Sequence, residues 1–390
     1  MRPTLTYILP DSPGGVFSYI RNLLSSSTSG LFETSVVLTR SRYNRQPTTE
    51  PIAADHTIVF PHQSPKENLY SIARRLIRVI PKGPGVVVTN DSLELIACSI
   101  HDPQKMVVMI IHGDRDYYYD LATKHANTID YFVASSKHMA ARLKNLLPER
   151  SDSVLMLPYG VTIPTRTRAA RPGLIRVAYI GRLDGEKRAL DLPEVDRELC
   201  RLGVKAKWTV IGAGPDEGLL RAAWAWNPEV RWTGIIPNDA ARELLLESDV
   251  FVMTSQSEGF PVTLVEAAAA GVVPVVSDLP SGVPEIVIPG RTGFRLPIGD
   301  TRQFAAAIAS LDADRKMLED MSCEVRKVAI SGFDICENVK AYDRLYESYT
   351  EPRENRRAQQ ILKFGCRLDQ PWIPNFAVRA IRSITLKGLD

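Results

Sequence analysis

A chain of 390 residues, 44% of them hydrophobic and 24% charged, exceeds what one hydrophobic core normally organises, so two domains are expected. A formal net charge of +3 argues against a dedicated nucleic-acid binder, which would carry a strongly basic stripe. The five cysteines are scattered and form no Cys-x-x-Cys pair, which excludes a disulfide framework or a zinc site and fits reduced thiols. The apolar run at the N-terminus is too short for a signal peptide, and no stretch reaches the roughly 18 apolar residues of a membrane span. The expectation is a cytoplasmic protein.

Short apolar runs rich in β-branched residues alternate with helical patterns through the first half: Leu5 to Leu9, Ser35 to Thr39, Thr57 to Phe60, Val86 to Thr89, Met106 to Ile111, Tyr131 to Ala134 and Val154 to Leu157. This alternation predicts an α/β domain with a parallel, doubly wound sheet. Asp11-Ser-Pro-Gly-Gly15 joins the first strand to a helix beginning near Val16, and its glycines can bring backbone N–H groups close to a ligand. Ser71 to Ile80 mixes Arg74, Arg75 and Arg78 with aliphatics at helical spacing. It reads either as a helix packed on its own sheet or as a peripheral membrane contact. His112 ends the strand Met106 to Ile111, at the end where ligands bind in open α/β sheets.

The stretch 158–173 is Pro-rich, basic and without periodicity, and it marks the domain boundary. Strands restart with Ile175 to Ile180, Trp208 to Ile211, Val230 to Trp232, Val250 to Thr254 and Val272 to Val276, predicting a second doubly wound domain. Three loops after these strands carry binding chemistry: Gly181-Arg-Leu-Asp-Gly-Glu-Lys187, with two cations for phosphate; Gly212-Ala-Gly-Pro-Asp216, a tight turn; and Thr233-Gly-Ile-Ile-Pro237, whose backbone can cup a flat base. Gly212-x-Gly214 after a strand also suggests a dinucleotide-binding oxidoreductase. It lacks the third glycine and the acidic residue of that fingerprint.

The most informative segment is Ser255-Gln-Ser-Glu-Gly-Phe-Pro-Val-Thr-Leu-Val-Glu266. Glu258 falls on a strand-to-helix loop, and Pro261 is expected at the helix start. Glu266 is placed about one turn into an Ala-rich helix that ends at Gly271. A helix N-terminus flanked by two carboxylates can hold an anion on its N–H groups while the acids accept from hydroxyls. A nucleotide sugar offers both. Asp114-Arg-Asp116 has the D-x-D form of a metal site, but so does Asp312-Ala-Asp314 on a helix, and no metal is assigned.

With Gly14-Gly15, His112, the 158–164 hinge, Gly181-Arg182, Lys187, Gly212-Ala-Gly-Pro215, Thr233-Gly-Ile-Ile-Pro237, Pro284-Glu285 and Gly290-Arg-Thr-Gly293, the two glutamates resemble the E-x7-E signature of retaining glycosyltransferases of the GT-B fold, family 4. The resemblance spans most of the chain. It implies two Rossmann-like domains facing across a cleft: residues 1–165 on the acceptor side, completed by a C-terminal helix over 350–390, and residues 174–349 binding the donor. A helix over Arg353 to Phe364 would cross back to the first domain.

The implied reaction moves a sugar from a UDP- or GDP-linked donor to a glycan, lipid-linked glycan or small-molecule acceptor, with no further cofactor. Arg182 and Lys187 would hold the diphosphate, and Glu266 the ribose hydroxyls. Glu258, with the backbone of Gly259, Phe260 and Pro261 and the helix start at Val262 and Thr263, would hold the sugar and the charge. His112 would lie beside the reacting carbon and Gly15 near phosphate or acceptor, while Gly212, Gly214 and Ile235 would line the nucleotide. Arg188 departs from the family, which commonly has glycine there. Epimerase, phosphorylase and non-catalytic sugar-binding readings share the fold.

Overall fold

In the computed structural model, which describes residues 2–349 apart from 13, 28, 42–47, 49 and 50, together with 365–385, the aliphatic runs form parallel strands. The first unit has β1 Thr4–Pro10, β2 Glu33–Ser41, β3 His56–His62, β4 Gly85–Thr89, β5 Met106–Ile111, β6 Tyr131–Ala134 and β7 Val154–Met156, in the order β3-β2-β1-β4-β5-β6-β7. Every pairing is parallel, with Thr4 opposite both Glu33 and Gly85. Strands such as Met106–Ile111 are buried along their whole length because helices cover both faces of the sheet. Val37, Val87, Val107 and Phe132 form its core.

The second unit repeats the plan with β8 Ile175–Ile180, β9 Ala206–Ile211, β10 Arg231–Gly234, β11 Val250–Met253, β12 Val273–Ser277 and β13 Phe294–Leu296, ordered β10-β9-β8-β11-β12-β13. All its strands are parallel as well. β13 was not expected from sequence, because three residues carry too little pattern to register. The core gathers Val177, Val210, Val252 and Val275. Behind it Asp196, 1% exposed, accepts from the indoles of Trp208 and Trp224 at 2.7 and 2.8 Å. The Ala-rich helix Val262–Ala270 ends at Gly271 in the left-handed conformation, φ 78°.

The chain divides into two compact units, Met1–Ser135 with Met139–Leu157 and Val339–Asp390, and Ser136–His138 with Pro158–Asn338. The Pro-rich stretch belongs wholly to the second unit and is well fixed there. Val161 bonds the carbonyl of Phe333 at 2.8 Å, and Arg168 is buried against Asp249, also at 2.8 Å. The return to the first unit falls at residues 338–339, inside the helix Ile335–Glu347, and so earlier than the predicted crossing after 349. Tyr342 and Tyr346 of that helix pack on Tyr19 and Tyr7. The predicted helix over Arg353 to Phe364 lies outside the described residues. Ile72, Ala73 and Leu76 of the helix Leu69–Val79 are buried on the first sheet, so this basic stretch is a packed helix and its apolar face is not open to a membrane.

Candidate functional site

In the second sheet the strand order reverses between β8 and β11, and in an open α/β sheet the crevice for ligands opens beyond the strand C-termini at such a point. The loop 181–188 follows β8 and the loop 254–261 follows β11. They are laced together: Thr254 Oγ1 donates to the carbonyls of Lys187 and Arg188 at 3.0 Å each, and Gln256 N–H donates to the carbonyl of Glu186 at 3.0 Å. Across this seam the Lys187 ammonium meets Glu258 Oε1 at 2.7 Å, with the side chains 21% and 12% exposed. Ser255 Oγ donates to the same oxygen at 2.7 Å. The other carboxylate oxygen of Glu258 has no protein donor among the described residues, so it can accept from a ligand hydroxyl.

Arg182 stands at the rim. Its side chain is 65% exposed and pairs with Asp184 at 2.8 Å and Glu186 at 3.1 Å, so it reaches an anion only by exchanging these partners. Arg188 has φ 48°, a left-handed conformation that disfavours side chains, which gives a physical reason for glycine at this place in the family. Its guanidinium is held by Asp191 at 2.8 Å.

The helix carrying Glu266 begins at Val262, and Pro261 is its cap rather than its first residue. The Pro261 carbonyl accepts from Leu264 and Val265 at 3.0 and 3.3 Å, and no side chain caps the end. The N–H groups of Val262 and Thr263 therefore have no partner among the described residues, and they carry the positive end of the helix dipole. Phe260 points the other way. Its ring is buried between Tyr159 and Phe333 at 5.4 and 5.6 Å, so the residue offers only backbone to a ligand. The Gly259 carbonyl already accepts from Ser281 Oγ at 2.5 Å.

Glu266 is part-buried on the fifth position of this helix and takes no hydrogen bond or ion pair from any described residue. Burial pushes its carboxyl up to about 7, only partly offset by the charge of Arg242. A partly desolvated carboxylate without a donor is costly in isolation, so it gains from a ligand that brings hydroxyls.

Gly212 and Gly214 serve the architecture of the same edge. A Cβ on Gly212 would sit 2.0 Å from the carbonyl oxygen of Gly181, and one on Gly214 would sit 2.2 Å from that of Leu183. Such contact lets the loops continue the ladder past the strands, with Leu183 N–H on Ala213 O at 3.1 Å and Gly212 N–H on Gly234 O at 2.9 Å. This packing, not a dinucleotide fingerprint, accounts for the glycine pair. Ile235, on the third loop, is 84% exposed.

Gly15 and His112 belong to the first unit. Gly15 is the first residue of the helix Gly15–Ser26, one earlier than predicted, and nothing lies within 4 Å of where its Cβ would be. His112 Nε2 is 2.5 Å from Asn90 Oδ1, and the Asn90 amide nitrogen donates to Ile8 O at 2.7 Å. That fixes the amide orientation and makes Nε2 the protonated nitrogen of His112. Burial holds the imidazole down to about 3, so the ring is neutral. Asp114 and Asp116 both face the guanidinium of Arg142, and among the described residues no group of three or more His, Cys, Asp or Glu is placed to hold a metal ion.

Asn90 and Ser255 escaped sequence reasoning. Each is a polar residue one or two places beyond a buried strand, a signal too common to single out without knowing which strands flank the reversal of order.

The two doubly wound units define the GT-B class of fold. Residues 167–328, the segment that holds Arg182, Lys187 and both glutamates, match the family model described as glycosyl transferases group 1. A protein of Salmonella typhimurium named as the colanic acid biosynthesis glycosyltransferase WcaL is 30% identical over 218 residues, 53% of each chain. The amylovoran biosynthesis glycosyltransferase AmsK of Erwinia amylovora is 34% identical over 147 residues, 35% of this chain and 36% of that one. The matches thus span about half the length of these curated relatives or less. Among solved structures, Anabaena Alr3699/HepE in complex with UDP and glucose superposes with a TM-score of 0.73 at 15% identity, covering 89% of this chain and 100% of that one.

Proposed function

We propose that this chain is a retaining glycosyltransferase that moves a sugar from a nucleotide diphosphate sugar to a hydroxyl of a glycan or glycoconjugate. The observation that carries this reading is the arrangement at the β8/β11 reversal, where Lys187, the uncapped helix start at Val262 and Thr263, and the two carboxylates Glu258 and Glu266 share one edge of the sheet. Cationic and N–H groups suit a diphosphate, and the open oxygen of Glu258 on one side and the carboxylate of Glu266 on the other suit the hydroxyls of two sugar rings. The UDP complexes of structures with the same fold favour a UDP-linked donor.

In the proposed reaction the bond from the anomeric carbon to the phosphate oxygen breaks as the acceptor oxygen bonds to that carbon on the same face. The acceptor proton passes to the departing phosphate, giving a glycoside and a nucleoside diphosphate. The transition state is oxocarbenium-like, with negative charge growing on the diphosphate. Lys187 and the N–H groups of Val262 and Thr263 stabilise that charge in place, and Arg182 joins them by exchanging its carboxylate partners. Glu258 orients the sugar and Glu266 the ribose. His112 is neutral, with its Nε2 proton on Asn90, and supplies no charge. The donor is the only small molecule required. The names of relatives, glycosyltransferases of colanic acid and amylovoran biosynthesis, support such chemistry, and we assign the chain to the cytoplasmic side.

The test is thermal stabilisation by UDP-, GDP- and ADP-sugars, followed by an assay for nucleoside diphosphate release in the presence of glycan acceptors. One donor series should raise the melting temperature by mass action and support release. Absence of both across all series refutes the proposal.

A further inference from the structure

The helix Asn375–Thr385 of the first unit has a fixed inner face. Val378 is buried, and Arg382, 8% exposed, donates to the carbonyls of Pro65 and Glu67 at 2.8 and 2.6 Å and pairs with Asp369 at 2.6 Å. Asn375 at its start accepts from Asn68 N–H at 2.8 Å. The outer face is apolar. Phe376, Ala380 and Ile384 follow at four-residue spacing, one above another on a helix, with Trp372 just ahead. Trp372, Phe376 and Ile384 are 75%, 77% and 70% exposed. A stripe of this kind on an anchored helix marks a surface made to be covered.

Beside it lies a cavity of about 470 Å³ lined by Arg40, His62, Gln63, Glu67, Arg75 and Arg379. Arg40 is paired with Asp11, and Arg75 with Glu67 at 2.8 Å. Arg379, on the same helix as the stripe, forms no ion pair among the described residues. Three guanidiniums are thus answered by two carboxylates.

We propose that this edge of the first unit docks on a bilayer containing anionic phospholipids, with Trp372, Phe376 and Ile384 entering the boundary between headgroups and acyl chains and the arginine cavity taking a lipid phosphate. The charge decides the occupant. An aromatic stripe flanked by a cation that has no ion-pair partner among the described residues complements an anionic lipid surface, whereas a second copy would set the same guanidiniums against one another. This docking does not depend on the sugar-transfer reading.

Co-sedimentation of the full chain with vesicles tests it, using phosphatidylcholine alone and phosphatidylcholine with about a quarter phosphatidylglycerol. The wild type should bind the mixed vesicles and not the neutral ones. Arg379→Gln should weaken binding roughly fivefold, the effect of about one charge at an anionic surface. The triple variant Trp372→Ser, Phe376→Ser, Ile384→Ser should lose about tenfold or more, with far-UV circular dichroism unchanged. Failure of the folded wild type to bind the mixed vesicles overturns the proposal, as does equal binding to neutral ones or binding that survives the triple variant. A dimer abolished by that variant would assign the stripe to a second copy. Stabilisation by inorganic phosphate without vesicle binding would assign the cavity to a soluble anion.

Discussion

Lys187 and Glu258 come from loops 71 positions apart, yet their side chains meet at 2.7 Å at the point where the strand order of the second sheet reverses. The pair is only partly exposed, so its charges are felt more strongly than a surface pair would be. Lys187→Ala should lower turnover by on the order of 100-fold, the contribution of one preorganised donor. Its melting temperature should fall by only a few degrees. Near-normal turnover in a steady-state assay of nucleotide release would refute the role given to Lys187.

Glu266 makes stability depend on pH with a definite sign. Its carboxyl is raised from 4.5 to about 7 in the folded chain, so between these values the native state binds more protons than the unfolded one. Stability therefore falls as pH rises through this window, by at most about 3 kcal/mol in the ligand-free protein. Glu266→Gln removes the charge and should flatten that part of the curve in urea titrations at pH 5 to 8. It should also weaken UDP binding, since an amide oxygen accepts less strongly from ribose hydroxyls. An unchanged pH profile would show that the carboxyl titrates normally.

For His112 the sign is reversed. Burial lowers the imidazole from 6.5 to about 3, so the unfolded chain takes up a proton that the native chain refuses, and stability is lost as pH falls below 6.5. The C2 proton resonance of His112 should stay constant from pH 8 to 5, and His112→Gln should make the protein less acid-sensitive. A midpoint near 6.5 in the resonance would contradict the neutral ring.

Gly214 and Gly218 should respond to alanine in opposite directions. At Gly214 the new methyl would collide with the Leu183 carbonyl, 2.2 Å away, forcing the two site loops apart. A loss of about 2 kcal/mol or more and weaker donor binding are expected. Gly218 lies in the helix Glu217–Ala223 with open space around it, so alanine there should be neutral or stabilise by up to ~1 kcal/mol. Thermal unfolding with and without UDP separates the two.

Asp249 anchors the Pro-rich stretch to the second sheet. It is 1% exposed and accepts from Arg168 at 2.8 Å and from Arg176 at 2.7 and 2.8 Å. Asp249→Ala removes one of the two carboxylates on the buried Arg168 guanidinium, Glu319 remaining, together with the carboxylate that holds Arg176, and should cost about 2 to 3 kcal/mol. Chemical denaturation would measure it.

Much of the fold could be read directly because buried parallel strands are nearly continuous Val and Ile runs, as in Val86 to Thr89 and Met106 to Ile111. The Pro-rich stretch has no periodicity that would show how it is held, and Arg168 within it is buried by an aspartate 81 positions away. Likewise the basic helix Leu69–Val79 spends its apolar face on its own sheet, and the exposed apolar face belongs to Asn375–Thr385, which starts directly after Pro374.

By itself the order of residues determined the two alternating strand-and-helix halves, the Gly271 helix end and the spacing of Glu258 from Glu266, because each depends on short-range periodicity or on one backbone conformation. Which groups are paired was decided only by tertiary structure. The order β10-β9-β8-β11-β12-β13 places the loop of Lys187 beside that of Glu258, the burial of Glu266 leaves it without a donor among the described residues, and in the first sheet the pairing of β4 with β5 closes Asn90 on His112. Charge and hydrogen bonding act over a few ångströms of space, and distance along the chain does not report that separation.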